Sequence, residues 1–163
     1  MHLELGKGVV FLDTQKIQTK YFGETTIDKH ELFTFASGLP GFAEETSFVI
    51  LDLPGNQLFH VLQSVNTPDL AFVITNPHQF YPNYSFELED HVAQQIDIEQ
   101  EADTAVAVIV TLKEPFEKST LNLKAPLILN TRSRLGKQHI LQDDTWFVKA
   151  PVTTPEMSET EGD

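Results

Sequence analysis

The chain has 163 residues, one domain's length, with a formal charge of −13 and no cysteine. The missing thiols exclude a disulfide framework, a thiolate metal knuckle and a cysteine nucleophile. Hydrophobic residues at 40% and charged residues at 21% are ordinary for a globular domain, and no apolar run approaches the roughly 20 residues that span a bilayer.

Residues 1–15 read as an N-terminal extension. Its apolar stretch, Val9-Val10-Phe11-Leu12, is too short for a signal-peptide core, so the expected location is the cytoplasm. Short early strands are expected at 17–22, 25–27 and 32–35. Longer ones follow at 47–53 and 58–65, joined by Pro54-Gly55-Asn56. Proline there presets φ and glycine accepts a positive φ, the order of a type II turn. A strand at 71–75 comes next. Leu88, Val92 and Ile96 fall at i, i+4 and i+8, which predicts a short helix over 88–97. Residues 105–112 are apolar, β-branched and unbroken, a strand covered on both faces. Two runs at 127–130 and 138–141 flank a turn containing Gly136 and predict a late hairpin. From residue 150 to 163, prolines and four acids without a base predict a disordered acidic tail. The expected fold is all-β: a small β-barrel-like domain of short antiparallel strands with one short helix, over 16–149.

Charge is unevenly spread. Residues 30–112 contain twelve acids and no lysine or arginine, whereas residues 113–149 carry seven bases and four acids. A base-free surface repels phosphate backbones and attracts basic partners. Lys113, Lys118, Lys124, Arg132, Arg134 and Lys137 could form a basic strip, but few aromatics accompany it.

Signs of catalysis are few. No G-x-S-x-G, P-loop or G-x-G-x-x-G occurs, and the six histidines have no metal-ligand spacing. Nothing implies a cofactor. Neighbouring acids such as Glu44-Glu45 or Asp143-Asp144 suit solvated turns as well as a site. A barrel enzyme with a metal site, or a small nucleic-acid- or carbohydrate-binding barrel, stays compatible with the residues. Phe72, Phe80, Tyr81, Tyr84 and Phe86 lie within fifteen residues, punctuated by Pro77 and Pro82. Prolines bar a continuous interior strand, so this segment wraps either its own core or a partner.

Several motifs resemble one family in order. They are Ile17-Gln-Thr-Lys-Tyr21-Phe-Gly23-Glu, Ser37-Gly38-Leu39-Pro40-Gly41-Phe42, Leu62-Gln63-Ser64-Val65-Asn66 and Phe72-Val-Ile-Thr-Asn76-Pro77. Tyr84-Ser-Phe86-Glu-Leu88, Pro115-Phe116-Glu117-Lys118, Asn122-Leu-Lys-Ala125-Pro126 and Gly136-Lys-Gln138 continue the run. Together they resemble the flagellar assembly factor FliW family, from about Lys16 to about Phe147. That resemblance implies a non-enzymatic cytoplasmic regulator with a β-barrel-like fold. It implies binding to the RNA-binding translational repressor CsrA, with relief of flagellin mRNA repression. It also implies binding to flagellin as a partner switch, with no direct nucleic-acid contact and no membrane. Acidity is compatible with a basic partner. Glu44, Glu45, Glu87, Glu89 and Asp90 are the candidates for partner-facing charge, and Phe80 and Tyr84 for apolar anchors. Leu39-Pro40-Gly41-Phe42 has type II turn order, which predicts a positive φ at Gly41.

Overall fold

β-Branched and aromatic runs set the strands, and proline, glycine and asparagine break them. The computed structural model describes residues 2–5, 8–11 and 13–152. The backbones of His2–Leu5 (β1) and Gly8–Phe11 (β2) pair antiparallel within the expected extension. Thr14–Thr19 (β3) and Gly23–Asp28 (β4) form a second hairpin. Then follow Phe33–Thr34 (β5), Ser47–Leu53 (β6), Asn56–Ser64 (β7) and Ala71–Thr75 (β8). After the one α-helix among the described residues, Asp90–Gln95 (α1), come Thr104–Thr111 (β9), Thr120–Leu121 (β10), Leu127–Asn130 (β11), Gly136–Gln138 (β12) and Ala150–Pro151 (β13).

Seven strands lie in the order β12-β11-β9-β8-β7-β6-β5, each pair antiparallel, with β10 and β13 branching from β9. The sheet curls until its end strands touch at a single parallel bridge, Thr34 to Leu135. Thr34 N–H donates to the Arg134 carbonyl at 2.9 Å there. The Arg134 guanidinium also lies 3.8 Å from the centre of the Phe33 ring. The all-β class and barrel-like curvature therefore stand, but no continuous ladder closes the barrel.

The inner face packs Phe33, Phe35, Leu39, Phe48, Leu62 and Leu127 into one core. The outer face is covered in three places. The β3–β4 hairpin caps Val49 with Ile17 and Ile27. Residues 80–86 with β10 and β13 cover Val108 and Val110. Helix α1 lays Val92 and Ile96 on Ile128. Strand β9 thus sends Ala107 inward and Val108 outward, which explains its unbroken apolar run.

Three expectations need correction. The helix spans Asp90–Gln95 rather than 88–97, because Asp97 turns to φ 59 and ends it. Asn130 Nδ2 then donates to the carbonyls of Ile96 and Asp97, at 2.8 and 2.9 Å, satisfying the helix end. Gly136 is not the turn glycine of the late hairpin, whose second strand is 136–138. The left-handed position belongs to Arg134, at φ 62, while a Cβ on Gly136 would meet the Phe35 ring at 2.7 Å. Finally, the folded unit does not stop at 149. Ala150 pairs with Leu121, Pro151 pairs with Thr120, and Val152 is buried. Burial of Ala150 and Val152 on the outer core outweighs the prolines that suggested a tail; residues 153–163 lie outside the described residues.

Candidate functional site

Phe80 and Tyr84, expected as exposed anchors, are core side chains at 6% and 3% exposure. Phe80 stacks on Phe59. The Tyr84 hydroxyl donates to the Leu123 carbonyl at 2.7 Å, its ring packs on Trp146, and burial pushes its phenol above the ordinary range. The proline-broken segment covers its own sheet, so neither residue presents a surface to a partner. Glu45 is half-buried and also turned inward. Its carboxylate accepts from the Ser64 hydroxyl at 2.8 Å and from the Thr67 hydroxyl, clipping two loops together. Glu44, Glu87, Glu89 and Asp90 are exposed.

The exposed aromatics lie elsewhere, chiefly Tyr21, Phe42, Phe116 and Phe147. Phe42 follows Pro40-Gly41, and its ring meets the Phe72 ring edge-on at 5.9 Å while staying exposed on its other side. Gly41 does take φ 85. Leu39 N–H donates to the Phe42 carbonyl at 3.2 Å and Phe42 N–H returns a bond to the Leu39 carbonyl at 2.7 Å. Leu39 itself is buried in the inner core, so one side chain pins the whole turn. Gly38 has φ 65, and a Cβ there would meet the Ala43 backbone at 2.6 Å. The result is a stiff loop over residues 36–44 with Pro40, Gly41, Phe42 and Glu44 facing out.

Opposite this loop lie the end of α1 and strand β12. They enclose a cleft of about 460 Å³ lined by Pro40, Gly41, Gln95, Lys137 and Gln138 among others. His91 and Gln95 share a helix face, one turn apart. Beside them sits His139. Burial pushes its imidazole below the ordinary value, the Glu89 carboxylate works against that, and Lys137 and His91 add to it. Glu89 also lies 3.3 Å from His91 Nδ1. Backbone groups, two neutral amides and a lysine line the cleft together with Leu39 and Ile96. Among the described residues, no three His, Asp or Glu side chains converge as metal ligands.

The bases of 113–137 do not make a strip. Arg132 is held by Asp97, Glu99 and Asp103 at 3.4, 3.9 and 3.2 Å. Lys124 is held by Asp144 at 2.8 Å, and Arg134 lies over Phe33. Half of the six are thereby spent within the molecule.

The family described as FliW protein matches residues 16–152. The chain belongs to the FliW family. That match ends at Val152, the last of the described residues, and leaves the β1–β2 pair outside it. The flagellar assembly factor FliW of Oceanobacillus iheyensis is 49% identical over 146 residues, 90% of this chain and 99% of that protein. The flagellar assembly factor FliW of Bacillus subtilis is 43% identical over 83% of this chain and 95% of its own. A crystal structure of the flagellar assembly factor FliW superposes with a TM-score of 0.81 at 42% identity, covering 85% of this chain and 96% of that one. FliW membership makes this chain a flagellar assembly factor.

Proposed function

We propose that this protein works as a non-enzymatic cytoplasmic binding factor. In this reading it docks on the translational repressor CsrA, relieves repression of flagellin mRNA, and exchanges CsrA for flagellin. Family membership supports the flagellar setting. One observation carries the choice of a basic RNA-binding partner: the base-free run at 30–112 folds into β5–β9 and α1 and leaves Glu44, Glu87, Glu89 and Asp90 exposed. Such a surface attracts a basic protein and repels that protein's RNA.

The test uses purified components. The protein should form a complex with CsrA in size-exclusion chromatography, and added flagellin should displace CsrA. It should also free flagellin leader RNA from CsrA in a gel shift while binding none of that RNA alone. Tight, salt-sensitive binding of the isolated protein to the RNA would overturn the reading, as would failure to bind both proteins.

A further inference from the structure

We infer that a second concavity, the groove between residues 84–88 and 98–104, seats an apolar side chain of a basic amphipathic partner segment. The inference rests on the reading of this protein as a binding factor and locates one of its contacts. The groove measures about 420 Å³, with Phe86, Leu88, Ile98 and Val106 on its walls, Ile128 as its floor and Glu101 at its rim. Ile128 is fully buried, whereas Phe86, Leu88 and Ile98 are only partly covered although they belong to the core beneath α1. The contact that seats the helix therefore continues into open, apolar surface.

The walls are held in place. On one side the Tyr84 carbonyl accepts from His78 Nε2 at 2.8 Å, and the Ser85 carbonyl accepts from Trp146 Nε1 at 2.9 Å. On the other, Thr131 N–H donates to the Asp103 carbonyl at 2.8 Å, and Arg132 grips the Asp103 carboxylate. A preformed groove spares a ligand the cost of ordering it.

Charge selects the occupant. Every lining residue except Ile128 comes from the base-free run. Glu101, the one carboxylate in the lining, is exposed and has no ion-pair partner among the described residues. The arginine of this region is committed to Asp97, Glu99 and Asp103. A ligand thus meets an apolar floor beside one uncompensated carboxylate, Glu101. A helix offering one bulky apolar side chain flanked by lysine or arginine satisfies both features. An acidic segment would bring like charges together, and a neutral apolar molecule would leave the carboxylate unused.

The probes are a labelled amphipathic Leu/Lys helical peptide, its Leu/Glu counterpart, and purified CsrA. In the full chain the Leu/Lys peptide should shift backbone amide resonances of residues 84–88 and 98–104, and the Leu/Glu peptide should not. Ser85→Trp fills the groove from an exposed position, and Glu101→Lys reverses the charge at its rim. Each should weaken the Leu/Lys peptide by about tenfold or more with an unchanged melting temperature. If Glu101→Lys unfolds the protein, Glu101→Gln takes its place. Absent binding, resonance shifts spread over the acidic surface without the groove, or a Ser85→Trp protein that binds as wild type would overturn the inference. A peptide that maps to the groove of a protein binding neither CsrA nor flagellin would sink the partner assignment above and leave the groove standing.

Discussion

The loop at 36–44 and the aromatic segment at 76–88 are built from the same kinds of residue and face opposite ways. Both combine proline with aromatics. In the loop, Leu39 alone reaches the inner core, and Phe42 stays 41% exposed. In the segment, Asn76 Oδ1 caps a short turn by accepting from His78 N–H at 2.9 Å, and the chain then lays Phe80 and Tyr84 on Val108, Val110 and Leu121. The difference lies in what is beneath each. The loop sits over a barrel core already filled by Phe35 and Phe48, whereas the segment crosses an apolar outer sheet face that would otherwise meet water. Exposure of an aromatic is thus set by the surface under it more than by its own neighbours in sequence.

The sharpest break of this comparison is a pair of alanine substitutions. Phe80→Ala should cost about 3–5 kcal/mol of stability, as for a buried phenylalanine. Phe42→Ala should cost far less, because its ring is already 41% exposed. Urea unfolding of both variants reads the contrast, and equal losses would erase it.

Within the loop, Glu44 and Glu45 divide the same way. Glu45→Ala leaves the Ser64 and Thr67 hydroxyls without their acceptor and should cost about 1–3 kcal/mol. Glu44→Ala should stay within about 0.5 kcal/mol of wild type, as exposed substitutions do. Thermal melts in parallel check both.

The left-handed backbone of the turn comes next. Gly41→Val should lose about 1 kcal/mol or more, since β-branched residues resist a positive φ. No neighbouring atom would touch the new Cβ, so the loss reports backbone strain alone. An unchanged melting temperature would refute that account.

Charge at the start of α1 should act on rate with little effect on stability. Glu87→Lys, Glu89→Lys and Asp90→Lys together should slow association with CsrA and flatten its salt dependence, because exposed charges steer only within about 8–10 Å at ordinary ionic strength. Stopped-flow measurements across a salt series read this, and an unaltered on-rate and slope would make the cluster a solvated helix start.

The smallest effect concerns His139. Its imidazole titrates below the ordinary value in the folded protein, so the unfolded chain binds its proton first as pH falls. Its contribution to stability is present above about pH 6.5 and fades on acidification toward the lower folded value. His139→Gln should make the melting temperature less sensitive between about pH 7 and pH 5. The same sensitivity in the variant would assign it to other groups.

Local chemistry was legible in the sequence alone. Alternation and β-branching marked β6 to β9, Pro54-Gly55 and Pro40-Gly41 marked turns whose glycines take φ 74 and 85, and the period of Val92 and Ile96 marked the helix. The base-free run was legible by counting. These features depend on neighbours a few residues apart, which one sequence displays. Other features required the tertiary structure. Glu45 became a clip by reaching hydroxyls 19 and 22 residues away. Gly136 was required by the Phe35 ring, and Ala150 and Pro151 were drawn into the sheet by β10. Phe80 and Tyr84 left the surface because an outer sheet face needed cover. Each depends on a partner distant in the chain, and the curling of the sheet until β5 meets β12 is what brings several such partners within reach.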